Sequence, residues 1–177
     1  MRHVHLHSHP AAPSPAVSQL TVDLDGHDVL VLHYRLRGSL DAVSIPAPAA
    51  PVRTDELWRH TCCELFVADD AGGYCEFNFS PSSAWAAYQF DGYRSGMRPL
   101  DLPAPIITTQ LNPAELLLTV QLALGAVPVL QAARELRCAL ATVVEEHSGH
   151  RSFWALAHPT AQPDFHHAQA FVLQLPR

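Results

Sequence analysis

The sequence predicts an all-β protein: an antiparallel β-sandwich, jelly-roll-like, with about ten strands and at most one or two short helices. Apolar and polar residues alternate with a period of two in at least six segments, as expected for half-buried strands. Turn-forming clusters and proline-rich loops separate these segments. One short segment, residues 129–136, has a helical pattern. The length of 177 residues fits a single domain covering residues 1–177.

Ten strands are predicted in chain order. They cover residues 17–24, 29–37, 57–67, 74–80, 85–90, 106–111, 115–124, 136–146, 152–157 and 168–175. The first two form a hairpin around a cluster of Asp, Gly and His at 25–28, and Asn112-Pro113 turns another. A turn at 69–73 joins the third strand to the fourth. The proline-rich stretches 46–51 and 99–105 are predicted to be rigid loops.

Composition excludes several classes of protein. An apolar fraction of 48% excludes a disordered chain. The net charge of -6 argues against nucleic-acid binding, which requires a basic surface. The first 17 residues lack the apolar core of a signal peptide, and no apolar run reaches the roughly 20 residues that span a bilayer. We therefore expect a cytoplasmic protein with no membrane partner.

The four cysteines are expected to be buried, reduced thiols. Cys62 and Cys63 are adjacent, so they should point to opposite faces of their strand, and Cys75 and Cys138 lie in other apolar strands. No C-x-x-C pair is present.

The segment 56–97 predicts a sheet face that carries both aromatic and polar groups. If the apolar residues of its three strands face a common core, the opposite face presents Trp58, His60, Glu64, Glu76, Asn78, Trp85 and Gln89. Flat aromatic rings beside carboxylate and amide groups suit a hydroxylated small ligand. The alternative is a structural polar network, in which Arg59 or Arg94 pairs with the glutamates.

Three blocks carry a resemblance to a known family. LWRHTCCELFV (57–67), YCEFNFSPSSAWAAYQFDGYRSGM (74–97) and FWALAHPTAQPDFHHAQAFVLQL (153–175) resemble DOMON-like domains related to family 9 carbohydrate-binding modules. The resemblance implies a β-sandwich that binds a sugar or haem. In the sugar-binding relatives two tryptophans hold the ring. The resemblance implies Trp58 with Glu64 for the first, Trp154 for the second, and Glu76, Asn78 and Arg94 as hydrogen-bonding partners.

Two alternatives to sugar binding stay open. The haem-binding relatives hold iron with a methionine and a histidine, which would here be Met97 with His60, His158 or His166. The chain would then be a redox or sensor domain. The other alternative is an interaction module that uses the same face to bind a protein partner or a second copy of the chain.

Metal sites are a further hypothesis. His3, His5, His7 and His9 alternate, and their imidazoles would bind a transition metal on one strand face; adventitious binding is favoured, because no carboxylate or thiolate flanks them. A second cluster combines Asp164, His166 and His167 with the nearby His158. Glu64 and Glu76 are expected to lie close together, so Arg94, a structural cation such as calcium, or ligand hydroxyls would have to compensate their charges.

Catalysis is not expected from the sequence. Ser80-Pro81-Ser82-Ser83 lacks the glycine-flanked elbow of a hydrolase, and no phosphate-binding glycine loop is present. Glu64 and Glu76 resemble a glycosidase acid pair only in residue type, and their separation would decide that role. The sequence therefore predicts a non-catalytic ligand-binding domain.

Overall fold

The computed structural model describes residues 1–68, 72–131, 133 and 135–175. The described residues form twelve strands: β1 Arg2–Ser8, β2 Val17–Gly26, β3 Leu30–Gly38, β4 Cys62–Ala68, β5 Tyr74–Phe79, β6 Trp85–Phe90, β7 Arg98–Pro99, β8 Ile106–Asn112, β9 Glu115–Leu122, β10 Leu136–Glu145, β11 Arg151–Ala155 and β12 Leu173–Leu175. Helical structure in these ranges is limited to α1, Pro128–Gln131, and 3₁₀ turns at Leu40–Ala42, Leu57–Arg59, Leu124–Ala126 and Ala168–Ala170. The prediction of a nearly all-β chain is confirmed.

The strands form one curled antiparallel sheet in the order β7-β6-β5-β4-β10-β11-β1-β2-β3-β9-β8, with β12 paired to β10. Strand β1 connects the two halves of this sheet. Its first five residues pair with β2, whereas His7 and Ser8 pair with β11. We call the half from β7 to β11 the front layer and the half from β2 to β8 the back layer. The antiparallel sandwich predicted from the sequence is confirmed.

The main core lies between the two layers. In the back layer, β3 and β9 bury every second residue, as expected for a sheet with one face in solvent. The front layer differs, because β4 and β5 are buried on both faces. A second apolar cluster, which includes Phe66, Tyr74 and Phe171, covers part of its outer face. The outer face of the front layer is therefore partly enclosed.

Three predicted elements differ in extent. Strand β4 begins at Cys62, because residues 57–59 form a 3₁₀ turn that follows Glu56 in a left-handed conformation with φ of 62°. The last strand is shorter than predicted and covers only Leu173–Leu175. The predicted helix at 129–136 is reduced to α1 and overlaps residues 132 and 134, which lie outside the described ranges, as do residues 69–71 of the predicted turn.

The four cysteines are free and buried, as predicted. Cys63 packs in the main core, whereas the Cys62 Sγ lies 3.7 Å from Oδ1 of Asn78, on the outer face. Burial raises the pKa of Cys63 and of Cys138 to about 12, which keeps these thiols protonated and unreactive. None of the helices in the described residues is long and apolar enough to cross a membrane.

Candidate functional site

A cleft of about 390 Å³ opens on the outer face of the front layer. Its floor comes from β4, β5, β6, β10 and β11, and its walls come from the 57–59 turn and two loops. The lining residues are Trp58, Glu64, Glu76, Tyr88, Phe90, Arg94, Met97, Val143, Phe153, Pro163, Phe165 and His166. Its volume lies in the usual range for small-molecule sites.

Strand register brings two glutamates to the floor of this cleft. Glu64 in β4 lies directly opposite Asn78 in β5, and Glu76 lies two residues before Asn78 on the same face. Such diagonal neighbours are within reach of each other's long side chains. The alternation of β4 and β5 therefore places both carboxylates on one side of the sheet, as expected from the sequence.

The two carboxylates differ in their hydrogen bonds. Glu76 Oε1 accepts from Asn78 Nδ2 at 2.7 Å, and its Oε2 lies 3.8 Å from His166 Nε2. Glu64 is 2% exposed, and its Oε1 has no hydrogen-bond partner among the described residues. An unpartnered buried oxygen costs about 1–3 kcal/mol. Glu64 is therefore the polar group of this cleft that a ligand would most stabilise.

Burial raises the pKa of both glutamates. For Glu64 the neighbouring Glu76 carboxylate adds to this effect, while the Arg94 guanidinium opposes it. For Glu76 the hydrogen bond from Asn78 and the charge of Arg94 both oppose it. Of the pair, Glu76 has donors that stabilise its charged form, so Glu64 is the one that holds a proton more readily.

The tautomer and the protonation of His166 depend on its hydrogen bond to Tyr74 and on its burial. The Tyr74 hydroxyl accepts from the backbone N–H of Arg94 at 3.2 Å and lies 2.8 Å from His166 Nδ1. We assign the hydroxyl as the donor to Nδ1, because the opposite tautomer would turn an unprotonated Nε2 towards the Glu76 carboxylate. The neutral imidazole then carries its proton on Nε2, facing Glu76. Burial, with the charge of Arg94, lowers the pKa of His166 to about 4. The ring is therefore neutral at physiological pH.

Arg94 lies at the solvent-exposed opening of the cleft. Its Nη2 donates to Oδ1 of Asp164 at 2.9 Å, and Oδ2 of Asp164 accepts from the Tyr93 hydroxyl at 2.8 Å. Arg94 has a left-handed backbone, with φ of 49°. Its guanidinium lies within electrostatic range of both glutamates, but its direct ion pair is with Asp164.

Aromatic rings form much of the wall. Trp58 is 45% exposed, and the guanidinium of Arg59 lies over its indole at 5.3 Å from the ring centre. Phe165 and Phe153 are in contact, with ring centres 6.2 Å apart.

The structure brings together four of the eight residues predicted from the sequence: Trp58, Glu64, Glu76 and Arg94 line the cleft. Asn78 is buried directly beneath it and orients Glu76. His60 does not line the cleft; it is exposed, and its Nδ1 lies 2.8 Å from Oε2 of Glu145.

The predicted placement of Trp85 and Trp154 on this face is wrong. Both belong to the main core between the layers, with 7% and 6% exposure. Trp85 lies opposite Phe79, on the inner face, and Trp154 lies opposite Thr142, with its Nε1 donating to Ser152 Oγ at 3.1 Å. Alternation fixes faces within one strand, but the turn at 80–84 determines which residues of the next strand share them. The second ring-holding tryptophan implied by the resemblance is thus absent from the described lining.

Several lining residues were missed. Tyr88 and Phe90 alternate with Trp85 and Gln89, a pattern that predicts a core position for both, yet their register opposite Glu76 and Tyr74 places them on the outer face. Phe153 and Phe165 carry no sequence signal that separates a wall residue from a core residue. The sequence indicates Met97 only as a candidate iron ligand, and His166 as a candidate iron ligand and as part of the cluster with Asp164 and His167.

Haem is a poor fit to this cleft. Met97 and His166 both line it, but His166 Nδ1 is bonded to Tyr74 and its Nε2 faces Glu76 at 3.8 Å. Neither ring nitrogen is open to iron unless one of these contacts breaks.

Metal sites find no support in the described residues, where no group of three or more His, Cys, Asp or Glu side chains has a metal-binding arrangement. His3, His5 and His7 do share the exposed face of β1, and His3 pairs with Asp23 at 2.6 Å. His9 is instead buried, with its Nε2 3.1 Å from the Thr160 carbonyl oxygen.

Comparison with solved structures finds a similar fold at low sequence identity. A crystal structure from Bacteroides uniformis ATCC 8492, named a "putative carbohydrate-binding protein", has a TM-score of 0.66 and 12% identity, covering 97% of this chain and 84% of its own. A family 9 carbohydrate-binding module from Caldicellulosiruptor kristjanssonii in complex with glucose has a TM-score of 0.42 and 11% identity, covering 82% and 69%. No protein-family model and no curated protein matches the chain.

Proposed function

We propose that this chain is a non-catalytic binding domain whose cleft takes a carbohydrate or a similar polyol. The observation that carries the proposal is the buried Glu64 oxygen without a partner among the described residues, at the floor of a cleft with aromatic walls. Buried polar groups in native proteins are almost always bonded, so an exception that faces a cleft calls for a donor from outside the chain. A ligand hydroxyl is such a donor.

The lining supplies the other contacts that a sugar requires. The exposed indole of Trp58 offers a flat apolar surface for a ring, and Phe165 extends the wall. Arg94 at the mouth is a donor for ring or hydroxyl oxygens. The fold neighbour from Bacteroides uniformis bears a carbohydrate-binding name, which supports the same class of ligand.

A binding role is favoured over an enzymatic one by the local bonding. His166 Nδ1 is bonded to Tyr74 and Glu76 Oε1 to Asn78, and the described lining holds no serine, threonine or cysteine that either could activate as a nucleophile. The hydroxyls of Ser80 and Ser82 bond to each other at 2.9 Å and do not line the cleft. The proposal therefore assigns these groups to positioning a ligand.

The test is isothermal titration with a panel of mono- and disaccharides, using the wild type, Trp58→Ala and Glu64→Gln. Ile106→Ala, which removes an exposed apolar side chain from the back layer, is the control. We expect at least one sugar to bind the wild type and the control equally, and both cleft variants to bind it roughly tenfold more weakly, a loss of about 1.4 kcal/mol. A panel without any binder, or full affinity in both cleft variants, would overturn the proposal.

A further inference from the structure

The cleft has an excess of acidic groups over basic ones. In the part of the chain that the structure describes, Glu64, Glu76 and Asp164 supply three carboxylates at the cleft, whereas Arg94 is the one arginine that lines it. Arg94 forms its ion pair with Asp164, and His166 is neutral. The charge of the Glu64–Glu76 pair is therefore not balanced by a direct ion pair with a cation.

The basic residues described at the edge of the cleft do not form ion pairs with Glu64 or Glu76. Arg59, beside Trp58, pairs with Glu56 at 2.7 Å. The hydroxyl of Tyr88 donates to Asp55 at 2.6 Å, which adds a further acid next to the cleft. Arg59 is thus already matched by an acid, and Arg53, near Tyr88, donates to the backbone carbonyl oxygens of Ala87 and Leu100.

We propose that the ligand of this cleft carries a protonated amine, and that its class is an amino sugar, an inference that rests on the proposed carbohydrate-binding function. Two observations on the described residues point to it. The carboxylate pair has no direct ion pair with an arginine there, and Oε1 of Glu64, a nearly completely buried residue of the cleft lining, has no hydrogen-bond partner among them. An ammonium supplies the positive charge and three N–H donors, enough for Glu64 Oε1 and for the Glu76 oxygen that faces His166.

The aromatic lining fits the same group. Tyr88 and Phe90 lie on the strand next to Glu76, and the faces of such rings attract a cation. A neutral hydroxyl would satisfy the hydrogen bond of Glu64 but would leave Glu64 protonated and add no positive charge beside Glu76. The sugar ring would lie against Trp58, with its amine directed to the glutamates.

Binding of an amine is coupled to the proton of the Glu64–Glu76 pair. The charged and titratable groups around Glu64 come from each neighbouring element: Cys62 on β4, Glu76 on β5, Arg94 after β6, Asp164 and His166 from the loop before β12, and Tyr34 from the back layer. Because burial and Glu76 favour the protonated form of Glu64, an incoming ammonium must displace that proton. Amine affinity therefore rises with pH, up to the pKa of the amine itself, whereas the affinity of a neutral sugar does not.

The experiment is isothermal titration of the full chain with glucosamine, N-acetylglucosamine, glucose and ethylammonium at about pH 5 and about pH 7, below the usual pKa of an α-amino group. At about pH 7 we expect glucosamine to bind at least about tenfold more tightly than the two neutral sugars. At about pH 5 this difference in affinity should be smaller. In Glu64→Gln the preference should disappear. Glu135→Gln removes an exposed carboxylate and is the charge-matched control, which should retain it.

The outcomes separate the two proposals. Equal affinity for glucosamine and glucose would overturn the amine inference and leave carbohydrate binding intact. Binding of ethylammonium but of none of the sugars would overturn carbohydrate binding and, with it, the amino-sugar class. If none of the four compounds binds, both proposals fail. A preference for glucosamine that survives in Glu64→Gln with an unchanged melting temperature would show that the amine lies elsewhere, and would overturn the assigned site.

Discussion

Asn78 lies directly opposite Glu64 in the sheet, yet it donates its hydrogen bond to Glu76, two residues away on its own strand. The Oδ1 of Asn78 faces the Cys62 thiol at 3.7 Å, which agrees with this orientation of the amide. The amide next to Glu64 therefore donates to Glu76 instead. As a result Glu76 Oε1 is bonded, whereas Glu64 Oε1 has no hydrogen-bond partner among the described residues.

The first prediction concerns Glu64→Gln and stability. Because the pKa of Glu64 is raised in the folded state, its contribution to stability is present below about pH 4.5, its ordinary value, and is lost as the pH rises through the folded pKa. The amide cannot ionise, so the variant should become more stable relative to the wild type over this interval, by up to about 1.4 kcal/mol for each pH unit that the interval spans. Urea unfolding at a series of pH values measures it.

The ligand affinity of the same variant should fall much more than its melting temperature changes. A large loss of stability at neutral pH, with intact binding, would instead place Glu64 in a structural network.

His166 gives the second prediction. Its folded pKa of about 4 lies below the ordinary 6.5, so its contribution to stability is present above pH 6.5 and is lost as the pH falls towards 4. Long-range ¹H–¹⁵N NMR should show Nε2 protonated and Nδ1 unprotonated at neutral pH. Tyr74→Phe removes the donor to Nδ1 and should disturb this tautomer. A ring that titrates near 6.5 in the wild type would be incompatible with the bonding described above.

The third prediction contrasts two tryptophans. Trp58 is exposed on a short 3₁₀ turn, so Trp58→Ala should reduce ligand affinity with a change below about 1 kcal/mol in the free energy of unfolding. Trp154 is buried in the main core, and Trp154→Ala should cost about 3–5 kcal/mol. Chemical denaturation of both variants provides the comparison. Similar losses of stability in the two variants would mean that the assignment of Trp58 to the cleft and Trp154 to the core is wrong.

Tyr34 provides the fourth prediction. Its hydroxyl donates across the core to the backbone oxygen of Glu64 at 2.9 Å, joining the two layers beneath the cleft. Tyr34→Phe leaves that buried acceptor without its donor and should cost about 1–3 kcal/mol. Tyr93→Phe, at an exposed hydroxyl, is the matched control and should change stability by less than about 0.5 kcal/mol. Equal effects would show that the contact between layers does not contribute.

The sequence predicted the part of the site that depends on alternation within a strand. Glu64, Glu76 and Asn78 share a face because a strand has a period of two, and no tertiary information is needed for that conclusion. The predicted positions of Trp85, from alternation, and of Trp154, from the family resemblance, are wrong because the relation between strands depends on turns and crossovers. Trp58 was placed correctly at the cleft although its segment is a turn and not a strand.

The contacts between loops could not be predicted from the sequence, for a different reason. Arg94 and His166 meet through Tyr74, and they are separated by most of the second half of the chain. Local patterns carry no information on such contacts, since they depend on how the 157–172 loop folds over the front layer. The protonation of His166 follows from that packing and is visible only in the structure.

We infer that Glu64 and Trp58 belong to one ligand site. Titrating ¹⁵N-labelled protein with the tightest-binding sugar, and following amide and indole shifts by NMR, tests it most directly. We expect the largest shifts on Glu64, the indole N–H of Trp58 and the neighbours of Arg94, and no change in the indoles of Trp85 and Trp154. Saturable shifts confined to other surfaces, with Glu64 and Trp58 unperturbed, would contradict it.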